Sequence, residues 1–198
     1  PKTMENYYQE AGRCGRDGEK AKAILLYSAG DVGIQNFLIK NSTDSKDDYD
    51  KLDYMIDYAT GTDCLRRKIL NYIHENLEED CGNCSNCNKE FKEKDITIEA
   101  QKILSCIKRM GEMSGANLVT DVLKGITKKQ VLSFEYDKLS TYGSMRDYKR
   151  DDILDIISEL TRQNALSTTG MPKPILKLNK NSYDIFKGKK VSMKYTEK

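Results

Sequence analysis

Three cysteines with two residues between successive members, Cys81, Cys84 and Cys87, form the most distinctive chemical pattern in this sequence of 198 residues. The residues between them are glycine, asparagine and serine, which turn readily and let the backbone wrap one ion. A closed tetrahedral metal site needs a fourth ligand. Cys64, at the predicted start of a helix, is well placed if the acidic turn before Cys81 folds back. Four thiolates leave no position for water, so the pattern predicts a structural metal site.

Two other cysteines compete for the fourth position. Cys106 falls in a predicted helix beside apolar residues and is interpreted as a small buried hydrophobic residue, whereas Cys14 belongs to a glycine-rich turn. A disulfide interpretation is disfavoured because the sequence shows no secretory signal. An iron–sulfur cluster stays open as an alternative, since four thiolates suit iron as well as zinc. We expect structural Zn²⁺.

A second pattern consists of two arginines, Arg13 and Arg16, set between glycines after a predicted helix over residues 4–14. Glycines allow a tight turn that aims both guanidinium groups in one direction, and paired guanidinium groups suit bidentate recognition of phosphate. By charge alone, two solvated arginines on a surface turn are the simpler interpretation.

The elements around these patterns are predicted to be mostly helical. A strand is predicted over residues 21–27, followed by one helix, and two further helical patterns are separated at Gly61. The charged stretch over residues 88–94 reads as a linker. The sequence therefore predicts the trailing edge of an α/β domain over residues 1–40 and a helical metal-binding domain over residues 41–94.

The remaining sequence predicts a different domain. Helical patterns begin near Thr97, Ser114 and Thr127, and a strongly amphipathic helix is predicted over Arg150–Arg162. Two short strands then flank a turn over residues 170–173, which predicts a β-hairpin. Helices followed by a hairpin are typical of a winged helix-turn-helix domain. We therefore predict an α+β fold, mostly α, with a winged-helix DNA-binding domain and a basic tail over residues 95–198.

Charge is divided unevenly between the two halves of the chain. Residues 1–95 carry a net charge of −5, and residues 96–198 carry +7. The basic half favours a polyanionic partner, although a lysine-rich solvated surface explains the charge equally simply. No apolar run approaches the ~18 residues of a membrane span, which excludes a transmembrane protein. We expect a cytoplasmic chain that begins inside a longer protein.

The arginine and glycine segment resembles a known helicase motif. Its sequence YYQEAGRCGRDG, residues 7–18, is similar to motif VI of superfamily 2 helicases in its RecQ form. Further similarity to the RecQ family lies in AILLY at residues 23–27, CLRR at 64–67, CGNCSNC at 81–87, DKL at 137–139 and YG at 142–143. The resemblance covers essentially the whole chain.

This resemblance implies the C-terminal part of a 3′–5′ ATP-dependent DNA helicase acting in DNA repair and recombination. It implies that Arg16 is the arginine finger on the ATP γ-phosphate, that Arg13 makes a second phosphate or interlobe contact, and that Gln9 couples nucleotide to DNA. Cys14 replaces the usual alanine. ATP and Mg²⁺ are expected only in the intact helicase, because the sequence has no phosphate-binding loop and no Asp-Glu-x-His box. We expect this chain alone to be inactive.

For the basic half, the resemblance implies binding of duplex, forked or junction DNA, mainly through phosphates and without sequence preference. The predicted contacts are Lys128, Lys129, Arg146, Lys149, Arg150 and Lys173. For each of them the alternative is a solvated side chain. The hairpin turn carries no aromatic residue, so strand separation is expected elsewhere in the motor.

Two other functions compete with this interpretation. A sequence-specific winged-helix regulator should discriminate its site by ~10³ or more, whereas a helicase domain should bind unrelated sequences similarly. A metal-stabilised protein-interaction module should not bind DNA. The expected partners are DNA and the remainder of the helicase motor, with no membrane.

Overall fold

The computed structural model describes residues 1–170 and 174–195. It separates into two compact units, Pro1–Glu90 and Phe91–Lys198. Most of the predicted hairpin turn, from Met171 to Lys173, lies outside the described residues. The domain limits predicted at residues 40 and 94 stay predictions.

The first unit is helical. It contains α1 (Met4–Ala11), α2 (Ala29–Ser42), α3 (Lys46–Thr60) and α4 (Leu65–Tyr72). The side chains of Thr3, Ser28, Ser45 and Cys64 each accept a hydrogen bond from a first-turn backbone N–H, which satisfies one of the donors left open at a helix start. A small core forms around the buried side chains of Met4, Met55 and Tyr58.

The strand predicted over residues 21–27 is absent from this described part of the chain, where the backbone has no regular secondary structure. Ile24 and Leu26 are 77% and 87% exposed. A strand is stabilised by hydrogen bonds to a neighbouring strand, and an apolar run without such a neighbour does not form one. The helix predicted over residues 4–14 is also shorter and ends at Ala11.

The second unit contains a helical core with two small sheets. Its helices are α5 (Thr97–Arg109), α6 (Ala116–Lys124), α7 (Lys129–Ser133), α8 (Arg150–Arg162) and α9 (Lys180–Phe186). The apolar faces of α5, α6 and α8 meet in one buried cluster, with Leu104, Val122 and Leu160 fully buried. This packing follows from apolar residues repeating every three to four positions along each helix.

Each sheet of the second unit is an antiparallel pair. Strands β2 (Leu166–Thr169) and β3 (Ile175–Leu178) form the predicted hairpin, with Leu166 opposite Leu178. Strands β1 (Lys92–Asp95) and β4 (Ser192–Tyr195) pair the beginning of the unit with its end. The predicted mostly helical α+β fold and its winged-helix order are confirmed.

Two predicted helix starts in this unit differ in detail. Thr97 is the first residue of α5, and its hydroxyl accepts a hydrogen bond from the Val191 N–H at 2.9 Å instead of capping the helix. Thr127 precedes α7, and its hydroxyl pairs with the Tyr142 hydroxyl at 3.0 Å. In both cases the threonine hydroxyl, which the sequence pattern predicts to cap the helix, instead hydrogen-bonds a residue far away in the sequence.

Across residues 1–170 and 174–195, no helix combines the length and the apolar character needed to cross a membrane.

Candidate metal centre and nucleic-acid interface

Four thiols converge in the first unit. The Sγ atoms of Cys64, Cys81, Cys84 and Cys87 all lie within 4.8 Å of one another. Cys64 is buried immediately before α4, and the other three are half-buried in the loop that follows. The structure therefore brings together the four cysteines that the sequence spacing singled out.

The two competing cysteines lie elsewhere. Cys14 is exposed in the turn after α1, and Cys106 is buried in the core of the second unit. Cys106 packs with its Sγ 3.6 Å from the Sδ of Met110, as expected of a small hydrophobic residue. Neither belongs to the thiol cluster.

Backbone N–H groups point at the clustered sulfur atoms. The contacts are Arg67 N and Cys81 N to Cys64 Sγ at 3.4 Å, Leu65 N and Cys87 N to Cys84 Sγ at 3.4 Å, and Cys84 N to Cys81 Sγ at 3.3 Å. Gly82 takes a left-handed φ of 61°, which a side chain would disfavour, so the loop can turn inward here. N–H donors stabilise the thiolate form, which is the form that binds metal.

These contacts shift the thiol pKa values in opposite directions. Burial by itself raises the pKa of Cys64 and of Cys84, but hydrogen bonds from backbone N–H groups and neighbouring thiols together outweigh burial and hold both below the ordinary range. The pKa of Cys87 is raised, first by its hydrogen bond with Cys84 and then by burial. Adjacent thiols therefore resist joint ionisation unless a cation compensates their charge.

The donor set fits a structural zinc ion. Four sulfur ligands make a closed tetrahedral site, which is typical of zinc that stabilises a fold. When bound, such an ion links the beginning of α4 to the loop over residues 81–87 and leaves no position for a substrate.

Side chains outside the thiol cluster hold the two ligand segments together. Asn86 Nδ2 donates to the carbonyls of Gly61 and Asp63 at 2.9 and 2.8 Å, which ties the cysteine loop to the turn before Cys64. Lys68 Nζ donates to the Asp57 carbonyl at 2.9 Å. A Cβ on Gly61 would lie 2.6 Å from the same carbonyl oxygen of Asp57, a backbone atom that cannot easily move, so this approach requires glycine.

The predicted phosphate-binding arginines lie on an open surface of the first unit. Arg13 and Arg16 line an open cleft together with Gln9, Tyr8 and Gly12. Arg16 Nε donates to the Gly12 carbonyl at 3.4 Å, a long contact that leaves most of its guanidinium group exposed. The cleft thus presents two cationic groups with free donors, the arrangement that phosphate recognition needs.

Two of the six predicted DNA contacts share a buried carboxylate in the second unit. Lys128 Nζ lies 2.6 Å from Asp121 Oδ2, and Arg150 donates to Asp121 Oδ1. A second Arg150 nitrogen donates to Asn117 Oδ1 at 2.9 Å. Asp121 lies in α6 and is 3% exposed. Its two ion pairs join α6 to the beginnings of α7 and α8. Part of the charge of Lys128 and Arg150 is therefore used within the fold.

The other predicted DNA contacts are more accessible. Arg146 is exposed, and its guanidinium group lies so close to Gly143 that a Cβ there would be 2.9 Å away. Lys129 and Lys149 are exposed, and neither forms an ion pair with the residues that the structure describes. Lys173 lies outside the described residues.

Comparison with known families identifies the second unit. Residues 90–198, more than half of the chain, match the family model of the RQC domain. The chain belongs to the RQC domain family. In this RQC chain, residues 29–88 also match the family model described as RecQ zinc-binding, and that range includes the whole thiol cluster. The resemblance to the RecQ family is thereby confirmed.

Curated relatives agree with these matches. The RQC chain is 40% identical over 191 residues to the ATP-dependent DNA helicase RecQ of Bacillus subtilis, covering 95% of the chain and 32% of the relative. It is 33% identical over 195 residues to the RecQ helicase of Haemophilus influenzae, covering 95% and 31%. It is 27% identical over 216 residues to the ATP-dependent helicase SGS1 of Saccharomyces cerevisiae, covering 99% and 15%. The chain spans about a third of the length of the bacterial relatives.

Sequence reasoning missed three residues that organise these sites. The sequence predicts Asn86 only as a turn former, yet its side chain joins two segments. Lys68 is buried near the turn at Gly61, and Asp121 is buried between two cations. For Asp121 a signal existed, because an acidic residue on the apolar side of an amphipathic helix needs a cationic partner.

Proposed function

We propose that this RQC chain is the C-terminal region of a RecQ-type 3′–5′ ATP-dependent DNA helicase that acts in DNA repair and recombination. The observation that carries the proposal is the succession of a RecQ zinc-binding match and an RQC match within one chain. The curated relatives support it, since they are named as ATP-dependent helicases. In this proposal the fragment supplies supporting sites and does not hydrolyse ATP by itself.

In the proposed zinc site, Cys64, Cys81, Cys84 and Cys87 are the ligands. Their proximity and their N–H donors support this assignment. The ion stabilises the first unit by holding α4 against the cysteine loop, and it takes no part in a reaction.

In the proposed ATP contact, Arg16 is the arginine finger, Arg13 is a second phosphate or interlobe contact, and Gln9 couples nucleotide to DNA. Their shared open cleft supports this role. In the intact helicase, Arg16→Ala should lower the ATP hydrolysis rate by about 10³-fold. Unchanged phosphate release would exclude the role.

The proposed DNA contacts are phosphate contacts by Lys129, Arg146 and Lys149. Their exposure supports this role, because an exposed lysine or arginine side chain can reach a phosphate. Phosphate contacts carry no sequence information, so they favour binding without sequence preference. Lys128 and Arg150 carry two positive charges against the one negative charge of Asp121, and the remaining positive charge contributes to DNA binding. Fork or junction preference follows from the resemblance to RecQ.

Fluorescence anisotropy over a salt series tests this function. The zinc-loaded chain should bind forked and duplex DNA of unrelated sequence with similar affinity, and log K should fall by about 0.9 for each phosphate neutralised per decade of salt. Lys149→Ala should reduce that slope by about one, whereas Lys187→Ala, an exposed lysine at the end of α9, should not change it. Tight binding to one sequence would instead indicate a regulator, and no binding would indicate a protein-interaction module.

A further inference from the structure

The guanidinium group of Arg146 lies against bare backbone. A Cβ on Gly143 would lie 2.9 Å from Arg146 Nη2 and 3.5 Å from its Cζ and Nε. A Cβ on Gly125 would lie 3.2 Å from the same Nη2 atom and 3.5 Å from Nε. The two glycines are neighbours, because this second Cβ would also lie 3.1 Å from the Gly143 Cα. Gly125 and Gly143 therefore form a surface without side chains, here called the glycine platform, on which the guanidinium group rests.

The glycine platform and the Arg146 backbone are both fixed to the end of α6. Gly125 is the C-cap of this helix, and the Gly143 N–H donates to the Val122 carbonyl at 2.9 Å. Lys124 Nζ donates to the Arg146 carbonyl at 2.7 Å. The guanidinium group is therefore in place before a ligand binds, which lowers the conformational entropy that binding costs.

The contact with Arg146 requires glycine for a reason separate from backbone conformation. Gly125 and Gly143 both have a left-handed φ of 71°. Asparagine tolerates this conformation, but its Cβ would displace the guanidinium group. Gly111 provides a comparison, since its φ is 73° and a Cβ there would lie 3.9 Å from the nearest atoms, which belong to Met113. A side chain is therefore excluded by the arginine at the glycine platform but not at Gly111.

The N–H donors of this guanidinium group are unused within the fold. Arg146 is exposed, and among residues 1–170 and 174–195 its guanidinium group donates no hydrogen bond and forms no ion pair. Arg150, by contrast, donates to Asp121 and Asn117. A guanidinium group is planar and matches two oxygens of one phosphate with parallel N–H donors. Arg146 thus combines a fixed position with donors that are free for a ligand.

We propose that Gly125 and Gly143 are positioning residues that hold the Arg146 guanidinium group ready for a bidentate contact with one DNA phosphate. This inference rests on the proposed DNA-binding function and divides its contacts into two kinds. Lys129 and Lys149 are flexible point charges, which lose side-chain freedom when they bind. Arg146 has lost that freedom already, so its contribution depends on the shape of the side chain as well as on its charge.

Replacing Arg146 by lysine separates shape from charge. In fluorescence anisotropy with one blunt duplex, Arg146→Lys should weaken binding about tenfold, because an ammonium group cannot form the bidentate contact. The slope of log K against log salt should stay the same, because the charge is kept. Arg109→Lys, the same change at an exposed arginine at the end of α5, should leave the affinity unchanged.

Replacing Gly143 tests the glycine platform itself. Gly143→Asn should also weaken binding about tenfold, whereas Gly111→Asn should not. Gly143→Asn added to Arg146→Lys should weaken binding no further, because both changes remove the same contact.

Nuclear magnetic resonance relaxation tests the fixed position in the original chain without DNA. The Nε–H bond of Arg146 should have an order parameter of about 0.85, as in rigid backbone, whereas that of Arg109 should be below about 0.6. This measurement needs no variant and therefore does not depend on whether Gly143→Asn folds.

The outcomes separate this inference from the function on which it rests. If the original chain binds no DNA, both fail. If it binds DNA and the order parameter of Arg146 is as low as that of Arg109, the positioning role alone is overturned. Full affinity of Arg146→Lys, or of Gly143→Asn shown by circular dichroism to be folded, also overturns it. Additive losses in the double variant, or an equal loss in Gly111→Asn, overturn it as well, because the effect then comes from a separate contact or from backbone strain.

Discussion

Cysteine environment decides cysteine chemistry in this chain. Cys106 is buried in the second unit, and burial raises the pKa of its thiol to about 11. Cys14 is exposed in a turn. The clustered thiols lie among N–H donors that favour thiolates. The same residue type thus serves as a core side chain, a surface thiol and a candidate metal ligand.

Alkylation should distinguish these classes. In the zinc-loaded chain at pH 8, iodoacetamide should modify Cys14 alone, because the Cys106 thiol stays buried and neutral well above that pH and bound metal protects the cluster. Mass spectrometry of the intact chain and its peptides checks this result. Cys14→Ser should remove the labelling, and modification of Cys106 in the folded chain would contradict the prediction.

The buried carboxylate of Asp121 should matter for stability. Asp121→Asn removes the charge that Lys128 and Arg150 share, and it should lower the free energy of unfolding of the second unit by about 2 kcal/mol. Urea unfolding followed by circular dichroism measures the change. Asp147→Asn, at an exposed acid of the same unit, should be close to neutral. Equal stability of the Asp121 and Asp147 variants would exclude a structural role for the shared ion pair.

At the scale of secondary-structure elements, the sequence pattern predicts helices well, because the periodicity of their apolar residues is local. The helix over Arg150–Arg162 has the predicted bounds, because its apolar residues repeat on one face. Strands β1 and β4 were missed, since Lys92–Asp95 is fully exposed and carries no apolar alternation. The strand over residues 21–27 was wrong for the opposite reason, because its apolar run has no paired neighbour. Pairing between distant segments is a tertiary property that local pattern does not contain.

The thiol cluster shows the same division. The spacing of Cys81, Cys84 and Cys87 is local, so the sequence alone predicts that they lie together. The approach of Cys64 to these three cysteines depends on hydrogen bonds between distant segments. Asn86 supplies two of them. Nothing in the identity of this asparagine reveals partners more than twenty residues away, at Gly61 and Asp63.

Removing the amide of Asn86 should therefore loosen the metal centre. Asn86→Ala loses both hydrogen bonds and should destabilise the first unit by about 2 kcal/mol, with faster release of zinc to a chelator. Stopped-flow release with a metal indicator measures this rate. The matched control is Asn83→Ala, an exposed asparagine of the same loop, which should release zinc at the original rate. Identical rates for the two variants would contradict this role.

At the scale of the whole molecule, the two units differ in how they are stabilised. The second unit has one continuous apolar core, whereas the described residues of the first unit bury far fewer apolar side chains, which are Met4, Ile39, Tyr49, Leu52, Met55, Tyr58 and Cys64. Structural zinc contributes ~10–16 kcal/mol to folding in small domains, which is comparable to the ~5–15 kcal/mol net stability of a typical domain. The first unit should therefore depend on its metal.

Chelation should unfold one unit and spare the other. Removal of zinc, or Cys84→Ser, should abolish helical structure over residues 47–88 and leave the second unit folded. Hydrogen exchange with mass spectrometry resolves the two units by residue. Adding zinc back should restore protection in the original chain but not in Cys84→Ser. Full protection of residues 47–88 after proven metal loss would contradict the prediction.

The pairing of β1 with β4 has a mechanical consequence for the second unit. Lys92 lies opposite Tyr195, so the start of β1 and the end of β4 are neighbours. Tension applied across the unit therefore peels the two strands apart one residue pair at a time before it reaches the helical core. The two strands are joined by four residue pairs, from Lys92–Tyr195 to Asp95–Ser192, and they should separate under low force. The same proximity permits circular permutation, because a short linker could join the end of β4 to the start of β1. New chain termini placed in a surface loop would then leave the core intact.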